Sequence, residues 1–266
     1  MKKIDTLVQD VYAVMKSKEY TGDLKGIAKQ VGDEVAEALV QAFEPYEDKR
    51  TLRMSGIGRC ERSQWYNIKG YKAEEIDGSI YLTFLQGHIL EAVLLAIVKL
   101  SGHTVTGQQK KHTVEDINGS QDCEIDGELV DVKTASDWSW KNKFKEYGVD
   151  GDTFGYIKQL SAYGKTAGRK VGYFLAFNKN KSTLKLCKQE LDTDVDTYIV
   201  DLKAKMQLDT PPMRIAGATV IDKGKAKLCM QCAFCGYKEH CYGALEEKTY
   251  ASGMKVYYAG TMGGDF

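Results

Sequence analysis

Residues 122–133 read Asp-Cys-Glu-Ile-Asp-Gly-Glu-Leu-Val-Asp-Val-Lys, with the pair Asp126-Gly127 set between two short alternating runs. Asp-Gly readily takes the positive φ angles of a tight hairpin turn, so a β-hairpin is predicted here. Side chains two apart in a strand share a face, which puts Asp131 and Lys133 together and Val130 and Val132 on the other side. Counting back across the turn brings Asp122 near the level of Asp131. Two carboxylates and one ammonium therefore meet at the end of one hairpin. A hairpin that simply turns its charged side to solvent would show the same alternation.

That set suits hydrolysis of a phosphodiester. Divalent ions such as Mg²⁺ prefer carboxylate oxygens and retain several waters. A bound ion lowers the pKa of its water and neutralises charge on the phosphate. A lysine beside it orients the water or stabilises developing negative charge. Three neighbours add to the pattern. Gly119 precedes Asp122 by three residues. Gly87-His88 and Glu91 lie on a predicted helix, with Gly87 and Glu91 one turn apart. Gln159 and Tyr163 are spaced to share one helical face. Taken singly, His88 also reads as an interface histidine and the Gln159–Tyr163 pair as the edge of an amphipathic helix.

Around this centre the periodicities predict helices over 1–45 broken near Gly22, then a turn at Ser55-Gly56 before a helix bearing Arg59, Arg62, Trp65 and Tyr66. A long, largely buried helix follows over 80–101 and a strand over 105–114. Residues 136–152 read as a loop, 154–166 as a helix, 171–177 and 183–188 as strands, and 192–208 as a helix stopped by Pro211-Pro212. This order predicts an α/β or α+β fold, a mixed sheet flanked by helices. The expected divisions are a helical lead-in (1–50), a main domain (51–245) and a loosely held tail (246–266) with four glycines.

Thirty-seven basic residues balance thirty-seven acidic ones, which excludes a bulk electrostatic mode of nucleic-acid binding but not a local basic groove. The N-terminus has no apolar core of signal-peptide length, and no run of about 18 apolar residues occurs, so a cytoplasmic protein without a membrane partner is expected. Of seven cysteines, Cys229, Cys232, Cys235 and Cys241 crowd together. In a reducing compartment such spacing points to a metal or cluster site. Cys229-x2-Cys232 and Cys232-x2-Cys235 are both legitimate ligand pairs, whereas Cys123 and Cys187 read as packed strand residues.

Gly87-His88-Ile-Leu-Glu91, Gly119-Ser-Gln-Asp122, Asp131-Val-Lys133-Thr134 and Gln159-Leu-Ser-Ala-Tyr163, in this order, resemble the RecB-like branch of the PD-(D/E)xK nuclease superfamily. The resemblance spans roughly residues 55–242 and implies a restriction-endonuclease-like core. It implies Asp122 and Asp131 as Mg²⁺ or Mn²⁺ ligands, Lys133 as the catalytic lysine, and Gln159 and Tyr163 as groups that contact the strand or support that lysine. Glu91 or His88 would complete the metal site. The family histidine usually stands further from its glycine than His88 from Gly87, so that choice stays open. In the iron–sulfur members of the branch, Cys60 together with Cys232-x2-Cys235-x5-Cys241 would hold a structural 4Fe–4S cluster. A Zn²⁺ site would use the same residues.

Trp138, Trp140, Lys141, Lys143 and Lys145 interleave aromatics with charge, which suits stacking and phosphate contact on single-stranded DNA; a surface loop with partly buried aromatics fits equally. Arg59 and Arg62 are a second candidate phosphate patch. The resemblance implies a DNA exonuclease, 5′ to 3′ at single-stranded or duplex ends, of the phage or recombination type. Homo-oligomers and phage recombination or replication proteins are the partners it suggests. A non-catalytic DNA-binding or assembly module of the same fold, with zinc, is the rival expectation.

Overall fold

The computed structural model describes residues 2–45, 49–222, 224–251 and 253–260. A single 3-10 turn (Ile4–Thr6) leads into α1 (Leu7–Ser17), and α2 (Leu24–Phe43) follows a bend at Gly22, whose φ of 83° suits glycine. Helix α3 (Glu61–Ile68) begins after Cys60, so Arg59 lies just before the helix rather than on it. Helix α4 (Gly78–Leu100) is capped by Asp77, whose side chain accepts from the Ser79 amide at 2.8 Å.

Strands β1 (Val105–Thr106), β2 (Lys111–Val114), β3 (Ile117–Ser120), β4 (Cys123–Ile125) and β5 (Glu128–Ala135) come next. The single strand expected over 105–114 is thus two, split where Gly107 and Gln109 turn the chain with positive φ. The segment 136–152, expected as a loop, folds into α5 (Asp137–Asn142) and the ribbon β6 (Phe144–Lys145) with β7 (Gly148–Val149). Ser136 starts α5 by accepting from the Ser139 amide at 3.2 Å. Then follow α6 (Tyr156–Thr166), β8 (Val171–Asn178), β9 (Thr183–Glu190) and α7 (Val195–Gln207), within a few residues of their predicted bounds. The C-terminal part holds β10 (Thr219–Asp222), β11 (Lys225–Leu228), α8 (Met230–Ala233), α9 (Lys238–Tyr242), β12 (Leu245–Thr249) and β13 (Lys255–Ala259).

The central sheet has the order β1-β4-β5-β8-β9, with β5 and β8 parallel and the other pairs antiparallel. This is the mixed sheet expected. One face packs with Met54, Leu160, Tyr163 and Ile199 among others, the opposite face with Leu7, Val11, Leu94 and Val98. A second sheet, β10-β11-β13-β12, occupies the C-terminal end. The tail expected to be loose is therefore paired over 245–249 and 255–259, where Tyr258 is buried against β11 and its hydroxyl donates to Asp222 at 2.9 Å; Ser252 and the last six residues of that expectation lie outside the described ones.

Helix α4 also departs from expectation. It buries Ala92, Leu94, Leu95, Ala96 and Val98, all in its second half, while Tyr81, Leu82 and Phe84 in the first half are exposed. By length and composition alone it is apolar enough to cross a bilayer, because scattered polar residues interrupt its apolar run without lowering the average enough. Its second half is a core helix in this fold, packed with the sheet residues Cys123, Val130 and Val132.

Candidate active site

The Asp126-Gly127 turn forms as expected, with φ of 52° and 84° at its two central residues. It sets Cys123 opposite Val130, so Asp122 arrives level with Asp131. Strand β5 is not the solvated edge of a hairpin. Its pairing with β4 and β8 makes it central, and Leu129, Val130, Asp131 and Val132 are all buried. Asp131 is 1% exposed. Val130 and Val132 fill one core, leaving Asp131 and Lys133 on the side toward α6 with Leu129 and Ala135.

Asp122 Oδ2 accepts from the Val132 amide at 2.8 Å, which fixes this carboxylate at the rim of β5. Lys133 Nζ lies 2.6 Å from Asp131 Oδ2 and 5.0 Å from the centre of the Tyr156 ring. Among the described residues neither Asp131 oxygen has a well-formed hydrogen bond; the contact to Lys133 is an ion pair with poor hydrogen-bond geometry. Two buried carboxylate oxygens in that condition are costly unless a cation joins them.

The electrostatics point the same way. Burial pushes the Asp131 carboxyl up to about 7, with Asp122 adding to the effect and Lys133 opposing it. Burial also pushes Glu91 up to about 8, reinforced by the charges of Asp122 and Asp131 and opposed by Lys133. For Lys133 burial disfavours the charged form, but Asp131 and Asp122 outweigh it and hold the ammonium above its ordinary value. The directions for Asp131 and Lys133 are compatible because the lysine faces two carboxylates, whereas the deeply buried aspartate faces one ammonium. Three acids against one base leave an excess of negative charge that a divalent cation would relieve. Among the described residues, no three His, Cys, Asp or Glu side chains already stand close enough to hold a metal ion unaided. The donor set suits an ion that keeps several waters.

Of the two helix candidates, Glu91 is part-buried and electrically coupled to Asp122, Asp131 and Lys133. His88 is exposed. Gly87 faces β5, since a Cβ there would lie 3.8 Å from Thr134 Oγ1. Gln159 and Tyr163 are buried on α6, with Gln159 Nε2 3.5 Å from the Tyr163 hydroxyl; that phenol is raised by burial and feels Asp131, Asp122 and Lys133. Gly119 has a packing reason, because a Cβ there would meet Met54 Cβ at 2.5 Å and the Tyr163 hydroxyl at 2.9 Å.

Sequence reasoning missed several supporting groups. Tyr156 lies under Lys133, and the only signal for it was its place three residues before Gln159. The buried Gln121 accepts at 2.7 Å from His112, whose ring tilts against Tyr163 at 5.4 Å and whose other nitrogen meets Thr166. These contacts brace the strand entering Asp122, and no local pattern announces them.

The cysteine site is assembled from distant segments. Cys60, Cys232, Cys235 and Cys241 line one cavity of about 30 Å³ together with Tyr66 and Tyr242. Burial raises the thiols of Cys60 and Cys235, and pushes Cys232 up to about 12. Cys229 adjoins Cys232 without lining the cavity. Tyr66 Oη donates to the His240 carbonyl at 3.0 Å and Tyr237 Oη to Asn67 at 3.0 Å, tying α3 to the cysteine-rich segment. All seven cysteines are free thiols, with Cys123 and Cys187 buried in strands.

The candidate DNA contacts divide. Trp138 is exposed, and Lys141 and Lys145 are exposed with Lys141 paired to Asp137 at 3.0 Å. Trp140 packs under Lys185, whose Nζ is 3.8 Å from the ring centre. Lys143 is buried rather than displayed, because its ammonium donates to Thr153 Oγ1 at 2.6 Å and Gly151 O at 3.3 Å; burial lowers its pKa. Arg62 also turns inward, donating to the Pro212 carbonyl at 2.8 Å and lying over the Tyr66 ring. Arg59 remains exposed.

No protein-family model matches the chain, and no curated protein does. Among solved structures, the crystal structure of SSO0001 is similar over 77% of this chain and 93% of that chain, with 14% sequence identity and a TM-score of 0.42. That similarity is too low to bear on family or function.

Proposed function

We propose that this protein is a divalent-metal-dependent DNA nuclease of the RecB-like PD-(D/E)xK type, with a restriction-endonuclease-like core. The observation that carries the reading is Asp131: a buried carboxylate whose oxygens lack hydrogen bonds, set beside Lys133 and level with Asp122. Glu91, Asp122 and Asp131 would hold Mg²⁺ or Mn²⁺, which supplies charge neutralisation and an activated water at a phosphodiester. Glu91 is favoured over His88 because it is part-buried and feels the charges of Asp122 and Asp131, whereas His88 is exposed. Lys133 keeps its proton and presents a fixed positive charge toward the phosphate, as transition-state stabilisation requires. Tyr156 backs the lysine, while Gln159 and Tyr163 support the buried side of the site.

The most specific form of the reading is an exonuclease processing single-stranded or duplex ends 5′ to 3′ in phage-type replication or recombination, in a cytoplasmic setting. The cysteine cavity would hold a structural 4Fe–4S cluster on Cys60, Cys232, Cys235 and Cys241, with Cys229 as a spare thiol. Thiolate ligation would convert binding energy into folding energy by joining α3 to the C-terminal part. The competing reading is a non-catalytic DNA-binding module with zinc in the same place.

The decisive experiment follows nucleotide release from 5′- and 3′-end-labelled DNA, single- and double-stranded, with Mg²⁺ or Mn²⁺. Wild-type protein should digest, and Asp131→Asn and Lys133→Ala should not. Equal release by all three would remove this active site, and no release by any with tight DNA binding retained would favour the non-catalytic module.

A further inference from the structure

Between the cysteine cavity and the start of α6 the chain forms a trough that the sequence did not suggest. Residues 58–61, the end of α7, residues 211–215 and Gln231 of α8 enclose an open cavity of about 690 Å³. Its near end abuts α6. Gly58 and Gly155 touch through their backbones so closely that a Cβ on either would lie 2.4 Å from the other's main chain. Arg59 on this wall acts electrostatically on the Tyr156 phenol, the ring beneath Lys133. The trough therefore opens within electrostatic reach of the Tyr156–Lys133 pair.

The charge along it can be followed group by group. Asp152 accepts from the amides of Gly155, Tyr156 and Ile157 at 2.9, 3.0 and 2.8 Å, so its charge is met by the start of α6. Glu61 is paired with Lys205 at 2.9 Å, and Lys205 also with Asp201 at 2.7 Å. Arg214 donates to the Cys241 carbonyl at 2.6 Å and stacks 4.6 Å from the Tyr242 ring, contacts that hold the guanidinium without cancelling its charge. Among the described residues neither Arg59 nor Arg214 has a carboxylate at ion-pair distance. Two uncompensated guanidinium groups thus stand along the trough. Leu208 is half exposed beside them and Met213 is 91% exposed, an apolar surface without a partner.

We propose that this trough binds the single-stranded DNA segment adjoining the scissile phosphate, with Arg59 and Arg214 on successive backbone phosphates and Met213 against a base. Guanidinium groups match phosphate geometry, and apolar side chains accept base faces of any sequence. An open trough abutting the start of the helix that carries Tyr156, Gln159 and Tyr163 suits a chain passing through rather than an enclosed small molecule. The inference deepens the nuclease reading. It moves strand binding away from the lysine–aromatic segment 138–145, where Lys143 and Trp140 are already engaged by the protein.

The test is fluorescence anisotropy of a labelled oligo-dT in EDTA, where no cleavage occurs. Each phosphate contact on a single strand adds about 0.7 to the salt slope of log K, so removing two should cut it by about 1.4. Between about 50 and 200 mM salt, that is roughly a sevenfold smaller loss of affinity in Arg59→Ala/Arg214→Gln than in wild type. The glutamine keeps a donor for the Cys241 carbonyl, and Arg59→Lys should restore most of the binding that Arg59→Ala loses. Lys141→Ala/Lys145→Ala should bind like wild type. Unchanged binding and slope in the arginine variants, or loss confined to the lysine variants, overturns the assignment. Competition by pyrophosphate as effective as competition by the oligonucleotide marks a small-anion site and also overturns it. The nuclease reading is judged separately: loss of binding in the arginine variants of a protein that never cleaves keeps the trough and removes the nuclease.

Discussion

Glu91 offers a quantitative test of how the site is built, because Glu91→Gln keeps the shape and removes the charge. Burial and the neighbouring Asp122 and Asp131 carboxylates move its proton release from 4.5 to about 8. In that window the folded chain holds a proton that the unfolded chain has lost, so metal-free stability falls as pH rises from 4.5 to about 8. Each unit of separation corresponds to about 1.4 kcal/mol, which makes the full effect on the order of a few kcal/mol once relaxation of the site is allowed for. Glu91→Gln should therefore unfold like wild type near pH 4.5 and be more stable at pH 8.5. For a chain of this size each kcal/mol moves the midpoint by roughly 2–4 °C, so the two melting curves in EDTA should separate visibly across the titration. Saturating Mg²⁺ should reverse the order at pH 8.5, since the metal stabilises only a protein that can hold it. The measurement is calorimetry or circular dichroism in a pH series with EDTA and with Mg²⁺. A variant that tracks wild type at every pH without metal would show that Glu91 does not share the field of Asp122 and Asp131, and would refute the three-acid site.

Lys133→Ala should lower cleavage by a factor on the order of 10² or more while leaving DNA binding in EDTA within a few-fold, because its charge acts on the transition state; equal losses in binding and cleavage would make it a binding residue. Gly119→Ala should destabilise the fold by about 1–3 kcal/mol in urea denaturation, since the added methyl meets Met54 at 2.5 Å and the Tyr163 hydroxyl at 2.9 Å. Cys60→Ser should lower bound iron or zinc, read by elemental analysis, and lower stability, while Cys229→Ser should leave metal content unchanged because that thiol does not line the cavity. Retention of metal in Cys60→Ser would separate α3 from the site.

The parts of the fold that were legible in the sequence are those fixed by chemistry local to a few residues. Asp126-Gly127 needs two positive φ angles, which few dipeptides supply, so the hairpin and its register followed directly. Helix α6 and strands β8 and β9 kept their periods and their turn residues, and were placed within a few positions. The losses came where a side chain's partner is distant in sequence. A lysine in an aromatic stretch reads as exposed, yet Lys143 finds Thr153 and Gly151 and turns inward. Arg62 is drawn by the carbonyl of Pro212, 150 residues away. Strands β12 and β13 alternate only weakly, and are held because β12 pairs with β13 and β13 with β11.

The same distinction explains the candidate site. Alternation in β5 put Asp131 and Lys133 on one face but left open whether that face was wet or buried. The answer depends on segments that enter later: α6 packs on that face, and β8 pairs with β5 in parallel, making it central and placing Asp131 beside Phe174. Only then does an acid that could have been an ordinary surface residue become one with buried, unsatisfied oxygens. Burial raises the cost of its charge, and the same burial would make any cation bound there harder to displace by water. An isolated surface pair would leave Asp131→Asn almost neutral for stability without metal, whereas in this setting the substitution removes a carboxylate whose burial outweighs its pairing with Lys133. The asparagine variant should therefore match wild type near pH 4, where the folded wild-type chain holds its proton, and be the more stable of the two above about pH 7, where the wild-type chain must carry the buried charge. Equal or lower stability of the variant above pH 7, in the same EDTA series, would mean that pairing with Lys133 fully offsets the burial of Asp131 and would refute a carboxylate that calls for a further cation.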